Sequence, residues 1–377
     1  MSKNHKILQI GIDNWKRYYD IPSNMDWYYL CPNSSTALRK IMDMEAIKSF
    51  DAILIEEGQY IRDLLPFIHQ INPYTLMYSH DFKTNDAAII DLLKRSCAQG
   101  VDFSDPQQLL DDLSTSLFGG GYGDKMFPSS IRVHPSFDGS VSYQGLDYLT
   151  LEGNFGDDFS QVASWSNNFI VFKNLPIELW LEYEKYGNCE FQFVIRKIFF
   201  GSIDDFFSEK IYQEKDLSEA IVVECEDADV YLTVSVEARG EGTIKLGNLH
   251  QRWSRKQFGK FVLGGNILHD SIRDEINYFF HPGDFKPPLA VYFSGYRPAE
   301  GFEGYYMMKS LGCPFLLFSD PRLEGGAFYL GSEELEGKLV DTIRHYLEYL
   351  GFDHKDLILS GLSMGTFPSL YYAATFE

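Results

Sequence analysis

The spacing of hydrophobic residues changes twice along the chain, and the changes divide it into three stretches. From residue 6 to about 115, short apolar runs alternate with segments of helical period. Residues 6–11, 51–56 and 75–79 read as strands. Residues 61–71 and 86–98 read as helices, the latter with Ile89, Leu92, Leu93 and Cys97 at helical spacing. Strands alternating with helices predict a small parallel α/β domain over 1–118. From about 125 to 284 the runs shorten, become rich in Val, Ile, Phe, Tyr and Thr, and are separated by Gly, Asn and Asp. Residues 169–172, 190–195, 220–224, 230–236 and 243–246 have strand character, and their regular turns predict a β-sandwich. From 287 the alternation returns. Strands are expected at 289–293, 314–318 and 356–359, and a short helix at 304–311. A long helix at 332–350 is capped by Ser332, lined by Leu335, Leu339, Ile343 and Leu347, and ended by Gly351. The fold class expected is α/β: a small parallel α/β domain, a central β-sandwich, and a partial α/β-hydrolase-like domain over 287–377.

The joints carry little chemistry. The glycine-rich residues 119–123 mark the first boundary. They lack the Lys-Ser/Thr ending of a phosphate-binding loop, and Gly11 after the first strand starts no G-x-G-x-x-G. Neither a nucleotide cradle of that type nor dinucleotide binding is expected from these glycines.

Chemistry gathers near the end of the chain. Gly361-Leu-Ser363-Met364-Gly365 follows the apolar run 357–359. A strand leading into G-x-S-x-G is a nucleophile elbow, in which a strained turn lifts the serine oxygen clear of the sheet. Ser363 is therefore the candidate nucleophile, with Gly361 and Gly365 leaving room for the turn. The expected oxyanion hole combines the Met364 amide with the loop Ser294-Gly295-Tyr296-Arg297. There Gly295 gives close approach, Tyr296 lends its N–H, and Arg297 either binds an anionic or polar substrate edge or pairs with a surface carboxylate. The base is not evident. His345 lies on the long helix and His354 at the wrong end of the elbow strand. His134, His250, His269 and His281 read as surface or satisfied core groups. Asp320, at the carboxyl end of a strand, reads as a loop cap rather than a triad acid. No His/Cys/Asp cluster has metal-ligand spacing.

Composition narrows the partners. A net charge of −21 argues against nucleic acid and anionic lipid, while leaving basic protein partners open. Aromatics make up 16% of the chain, and Trp165, Trp180 and Trp253 are read as core rather than as a sugar platform. Five separated cysteines without a C-x-x-C suit a reducing compartment. The apolar run 7–12 is too short for a signal sequence, and no stretch approaches a membrane span. A cytoplasmic location is expected.

Residues 291–304 (VYFSGYRPAEGFEG) together with 360–366 (SGLSMGT) resemble the second accessory secretory protein family of the accessory Sec system. The resemblance extends over most of the chain. It implies export of serine-rich-repeat glycoprotein adhesins in complex with the other two accessory secretory proteins and the export motor ATPase. It also implies O-acetylation of N-acetylglucosamine on those adhesins through a Ser–acid–His triad, with no bound cofactor and an acetyl donor left open. Ser363 matches the family nucleophile. The family's acid and histidine lie downstream of the elbow, so the resemblance implies a C-terminally truncated chain. Alternatives are a non-catalytic scaffold of the export complex and a carbohydrate esterase.

Overall fold

The computed structural model describes residues 4–118, 123–202, 206–225, 227–297, 299–322 and 326–376. Most of the glycine-rich stretch 119–123 lies outside the described residues; Gly123 begins a strand, Gly123–Met126. Three sheets organise the chain: a parallel one, a large antiparallel one and a mixed one.

The first sheet has five parallel strands. His5–Ile10 is flanked by Met25–Leu30 and Ala52–Ile55, and Leu76–Ser79 and Gln99–Val101 follow outward. Strand side chains alternate between faces, and here both faces are covered. Leu8, Ile10, Ile53 and Ile55 pack with Leu38, Ile61, Leu64 and Leu92 on one side. Ile7, Leu54 and Met77 pack with Leu109, Leu110 and Leu113 on the other. The expected strands and the helix Ala87–Arg95 are present. The helix expected at 61–71 is a 3-10 run, Gly58–Gln70, with Pro66 inside it. Proline removes an amide donor and crowds the preceding turn, which disfavours a regular α-helix there.

The central sheet has ten strands linked through one, Val230–Trp253, which is 24 residues long. It pairs with Glu190–Phe199, Ile177–Gly187, Tyr148–Trp165, Phe169–Val171 and Gly123–Met126. Two strands were expected here, at 230–236 and 243–246. The chain instead stays in the sheet through Arg239-Gly240-Glu241-Gly242, with Gly240 at φ 83° and register shifts beside Val236, Ala238 and Gly240. The antiparallel sheet curls around one core that includes Leu151, Trp165, Phe193, Val234 and Leu246. Trp165 and Trp180 are buried, and Trp253 packs edge-on against Phe118.

The third sheet runs in the order Gly265–His269, Glu275–His281, Phe315–Ser319, Leu289–Phe293, Leu357–Gly361. Its last three strands are mutually parallel. The first two form an antiparallel hairpin that pairs with Phe315–Ser319. That hairpin lies within the stretch assigned to the sandwich from sequence. Its second strand buries residues on both faces, Ile276 and Phe280 toward the long helix and Phe279 toward Tyr305 and Phe315. A strand covered on both sides fits a helix-flanked sheet. The long helix Glu333–Leu350 forms as expected. Ser332 Oγ accepts the Leu335 amide at 3.1 Å, Leu335, Leu339, Ile343 and Leu347 are buried, and Gly351 closes the helix with φ 74°.

Candidate functional site

Parallel pairing sets the site's frame. Leu289–Phe293 runs alongside Leu357–Gly361 with Phe293 opposite Gly361, so the loops leaving both strands emerge at the same sheet edge. The second loop turns at once into Ser363–Gly365 and then into the helix Thr366–Tyr371. Ser363 itself has φ 53°, a left-handed conformation that costs a non-glycine residue on the order of 1 kcal/mol or more. The two elbow glycines are required by space. A Cβ on Gly361 would run into the Gly365 carbonyl, and one on Gly365 into the Phe293 carbonyl. The Ser363 side chain is left exposed, while Met364 and Gly365 behind it are buried.

Gly295 lies directly against the elbow. A Cβ there would come 2.9 Å from the Leu362 carbonyl and 3.4 Å from Ser363 Cβ. Its amide donates to Glu303 Oε2 at 2.9 Å. Gly295 therefore supplies room, and its own N–H is engaged. The Tyr296 and Met364 amides are the donors left from the expected oxyanion set. Met364 stands in the first turn after the elbow strand, where an amide lacks an intrahelical acceptor. Arg297 donates to the Phe302 carbonyl at 2.6 Å and, among the described residues, pairs with no carboxylate.

The loop 294–303 is fastened at several points. Ser294 donates its amide to the Phe318 carbonyl, and its own carbonyl accepts the Tyr329 hydroxyl at 2.8 Å. The Tyr329 carbonyl in turn accepts the hydroxyl of Tyr372, on the segment after the elbow, at 2.6 Å. Asp320 caps the neighbouring loop. Its buried carboxylate accepts the amides of Arg322, Ala327 and Tyr329 and a two-point contact from the Arg322 guanidinium. That is the loop-capping role read from its position.

Glu300 ties the same loop to the central sheet. Its carboxylate meets His250 Nδ1 on one oxygen and Arg252 Nε, at 2.6 Å, on the other. His250 Nε2 faces Glu182 Oε1 at 2.7 Å, and Arg252 also pairs with Glu275. All five groups are buried. With a carboxylate on each ring nitrogen, His250 is an imidazolium. Burial alone pushes its pKa down, but Glu300 and Glu182 outweigh burial and hold it up at about 9. Burial likewise pushes the Glu300 carboxyl up, and Arg252 and His250 overcome that to hold it at about 2. The sequence reads His250 as a surface or satisfied core group and gives no role to Glu300 or Glu303. Two carboxylates downstream of a strand-end glycine were the available signal.

The other histidines weighed as a base lie in other contacts. His134 bonds Ser136, His269 packs on Trp180, His281 stacks on Phe315, and His345 and His354 meet Tyr346 and Phe376 edge-on. Among the described residues no group of three or more His, Cys, Asp or Glu could hold a metal ion, and no helix is long and apolar enough to cross a membrane. The arrangement offers an exposed serine on a strained turn, with the Gly295 loop packed directly against it.

Comparison with known proteins fits this geometry into a family. The family model described as "Accessory Sec system GspB-transporter" matches residues 5–377. An accessory Sec system protein of Streptococcus gordonii is 51% identical over the whole of this chain, which covers 74% of that protein. Its counterpart in Staphylococcus aureus is 39% identical over 99% of this chain, which covers 73% of it. A solved structure titled as the glycosylation-associated protein (Gap123) complex from Streptococcus agalactiae superposes with a TM-score of 0.93. It is 39% identical, over 99% of this chain and 74% of that one. With a match from residue 5 to residue 377 and this level of identity, the chain belongs to the GspB-transporter family of the accessory Sec system.

Proposed function

We propose that this protein acts in accessory Sec export of serine-rich-repeat glycoproteins and O-acetylates their N-acetylglucosamine through Ser363. The observation that carries the chemical half is the conformation of Ser363: φ 53°, exposed, and packed against the Gly295 loop. The export half rests on family membership. In this reading the three sheets correspond to a small α/β domain over 1–118, a β-sandwich over 125–284 and an α/β-hydrolase-like domain from 287. The hairpin 265–281 is lent to the last.

Ser363 Oγ attacks the acyl carbonyl of the donor, the Oγ–C bond forms, and the donor's leaving group departs with a proton. The amides of Tyr296 and Met364 stabilise the oxyanion. A hydroxyl of the sugar then displaces the serine and takes the acyl group. The acid and histidine of the triad are assigned to the part of the family's length that this chain does not cover. Partners in this reading are the other two accessory secretory proteins, the export motor ATPase and the adhesin, met on the cytoplasmic side of the membrane.

Ser363→Ala in the full-length protein is expected to abolish acetylation of the adhesin glycan and to leave export largely intact, read by mass spectrometry of the secreted adhesin. Retained acetylation would sink the enzymatic reading. A scaffold role without catalysis is the second reading, and it rests on family membership alone. It predicts identical adhesin glycans from parent and variant. A carbohydrate esterase would instead release free acetate from acetylated glycan with no acceptor sugar present.

A further inference from the structure

A cavity of about 700 Å³ opens where the first sheet, the segment after Trp253 and the loop bearing Arg297 meet. That volume is typical of small-molecule sites. One wall holds a histidine whose hydrogen bonding is incomplete. The Gly283 amide donates to His281 Nδ1 at 3.1 Å, so Nδ1 is the acceptor and the proton sits on Nε2. Burial pushes the His281 pKa down to about 4, which keeps the ring neutral. His281 is 8% exposed, and its Nε2–H has no partner among the described residues. A buried donor left unmade costs about 1–3 kcal/mol. Nε2 is shielded from solvent, so a ligand acceptor reaches it only through a small side-chain shift at the cavity wall, and an acceptor that did so would relieve that cost.

The rest of the lining narrows what the acceptor belongs to. Arg297 and Lys309 border the cavity, and neither pairs with a carboxylate among the described residues. Asp51 is the one carboxylate among the described lining residues, and it already accepts the Lys6 amide at 2.8 Å. In a chain of net charge −21, a cavity so poor in acids favours an anion. Tyr74, Phe302 and Tyr305 add aromatic walls. The Tyr74 hydroxyl is engaged by the Phe280 carbonyl at 2.8 Å, so what Tyr74 offers is its ring. A neutral sugar would call for carboxylates to accept its hydroxyl protons, and these are scarce here.

We propose that this cavity binds a phosphorylated ligand with a planar ring, of the nucleotide class. Arg297 and Lys309 hold the phosphates, the aromatic walls hold the ring, and His281 Nε2–H donates to a ligand acceptor. The proposal goes beyond the acyl-transfer reading and does not depend on Ser363.

The test is calorimetric titration of the intact chain with ADP, and separately with inorganic pyrophosphate and with adenosine. ADP is expected to bind more tightly than either part. Arg297→Ala/Lys309→Ala is expected to weaken ADP binding at least about tenfold, the usual effect of losing hydrogen bonds to a charged group. His281→Phe, which keeps the stack on Phe315 and removes the donor, is expected to weaken it about fivefold or more. Should the double variant fail to fold, exposed Lys309→Gln alone carries the comparison, with its unfolding midpoint checked against the parent. The proposal is overturned by absence of ADP binding at millimolar concentration. It is also overturned by pyrophosphate binding as tightly as ADP, or by ADP affinity unchanged in a folded Arg297/Lys309 variant.

Discussion

Two ends of one loop are held by opposite means. At Glu300 the loop 294–303 is locked into the central sheet by a buried set of charges. Each nitrogen of His250 faces a carboxylate, and Arg252 bridges two more carboxylate contacts. At Gly295 and Ser363 there is no such set of buried charges among the described residues. The serine is exposed and strained, and what holds this end is close backbone packing at Gly295 with single hydrogen bonds from the Gly295 amide to Glu303 and from the Thr366 hydroxyl to the Ser363 carbonyl. The comparison teaches a division of labour. Buried charge pairs fix position strongly once formed, because removing one member strands another in low dielectric. A reacting oxygen needs the reverse, an open approach with few partners. Anchoring Glu300 a few residues away lets the elbow stay sparse.

The largest predicted effect breaks the anchored end. Glu300→Ala leaves His250 and Arg252 with one carboxylate partner each and should cost about 3–5 kcal/mol of stability. Urea unfolding monitored by tryptophan fluorescence measures it. A loss under about 1 kcal/mol would mean that the loop does not depend on the buried charges.

The same charges give a pH signature. The His250 pKa is raised from 6.5 to about 9, so its contribution is complete below pH 6.5 and is lost as pH rises toward 9. Across that window stability should fall by about 1.4 kcal/mol per pH unit, on the order of 3 kcal/mol in all. Glu300 acts in the opposite direction. Its pKa is lowered from 4.5 to about 2, so its contribution is present above pH 4.5 and fades as pH falls toward 2. Glu300→Gln removes one of the two carboxylates that hold the imidazolium charged. It should flatten the alkaline slope, and an unchanged slope would show that another group titrates there.

Periodicity made the frame legible in the sequence. The long helix announced its cap at Ser332, its apolar face and its Gly351 stop, because each rests on local chemistry within a few residues. The passage from strand to helix at Ser363 was legible for the same reason. Pairing between distant segments was not. Nothing local distinguishes Glu275–His281 as a partner of Phe315–Ser319 rather than of the central sheet. Nor does anything near Glu300 reveal that His250 and Arg252, some fifty residues earlier in the chain, converge on it. Arg239 to Gly242 carries two glycines, which reads as a turn, yet neighbours on both sides keep that stretch in the sheet.

Two substitutions sharpen the sparse end. Gly365→Ala places a methyl against the Phe293 and Ser294 carbonyls, which are themselves fixed in the sheet and by Tyr329. Overpacking against backbone should cost about 1–3 kcal/mol and displace the elbow. A variant as stable as the parent would show that the turn has room the geometry denies it.

Ser363→Gly is expected to have the smallest effect and the most informative sign. The serine at φ 53° carries backbone strain that glycine does not. Relief is worth on the order of 1 kcal/mol, and the greater flexibility of glycine in the unfolded chain takes back part of it. The net expectation is a gain of up to about 0.5 kcal/mol by the same reasoning, measured as a raised midpoint in urea. Loss of stability would mean that the side chain makes contacts that outweigh the strain, and the serine would then be a structural turn residue. A gain would mean that the fold tolerates a less stable residue where the oxygen is presented, the pattern expected of a reactive site.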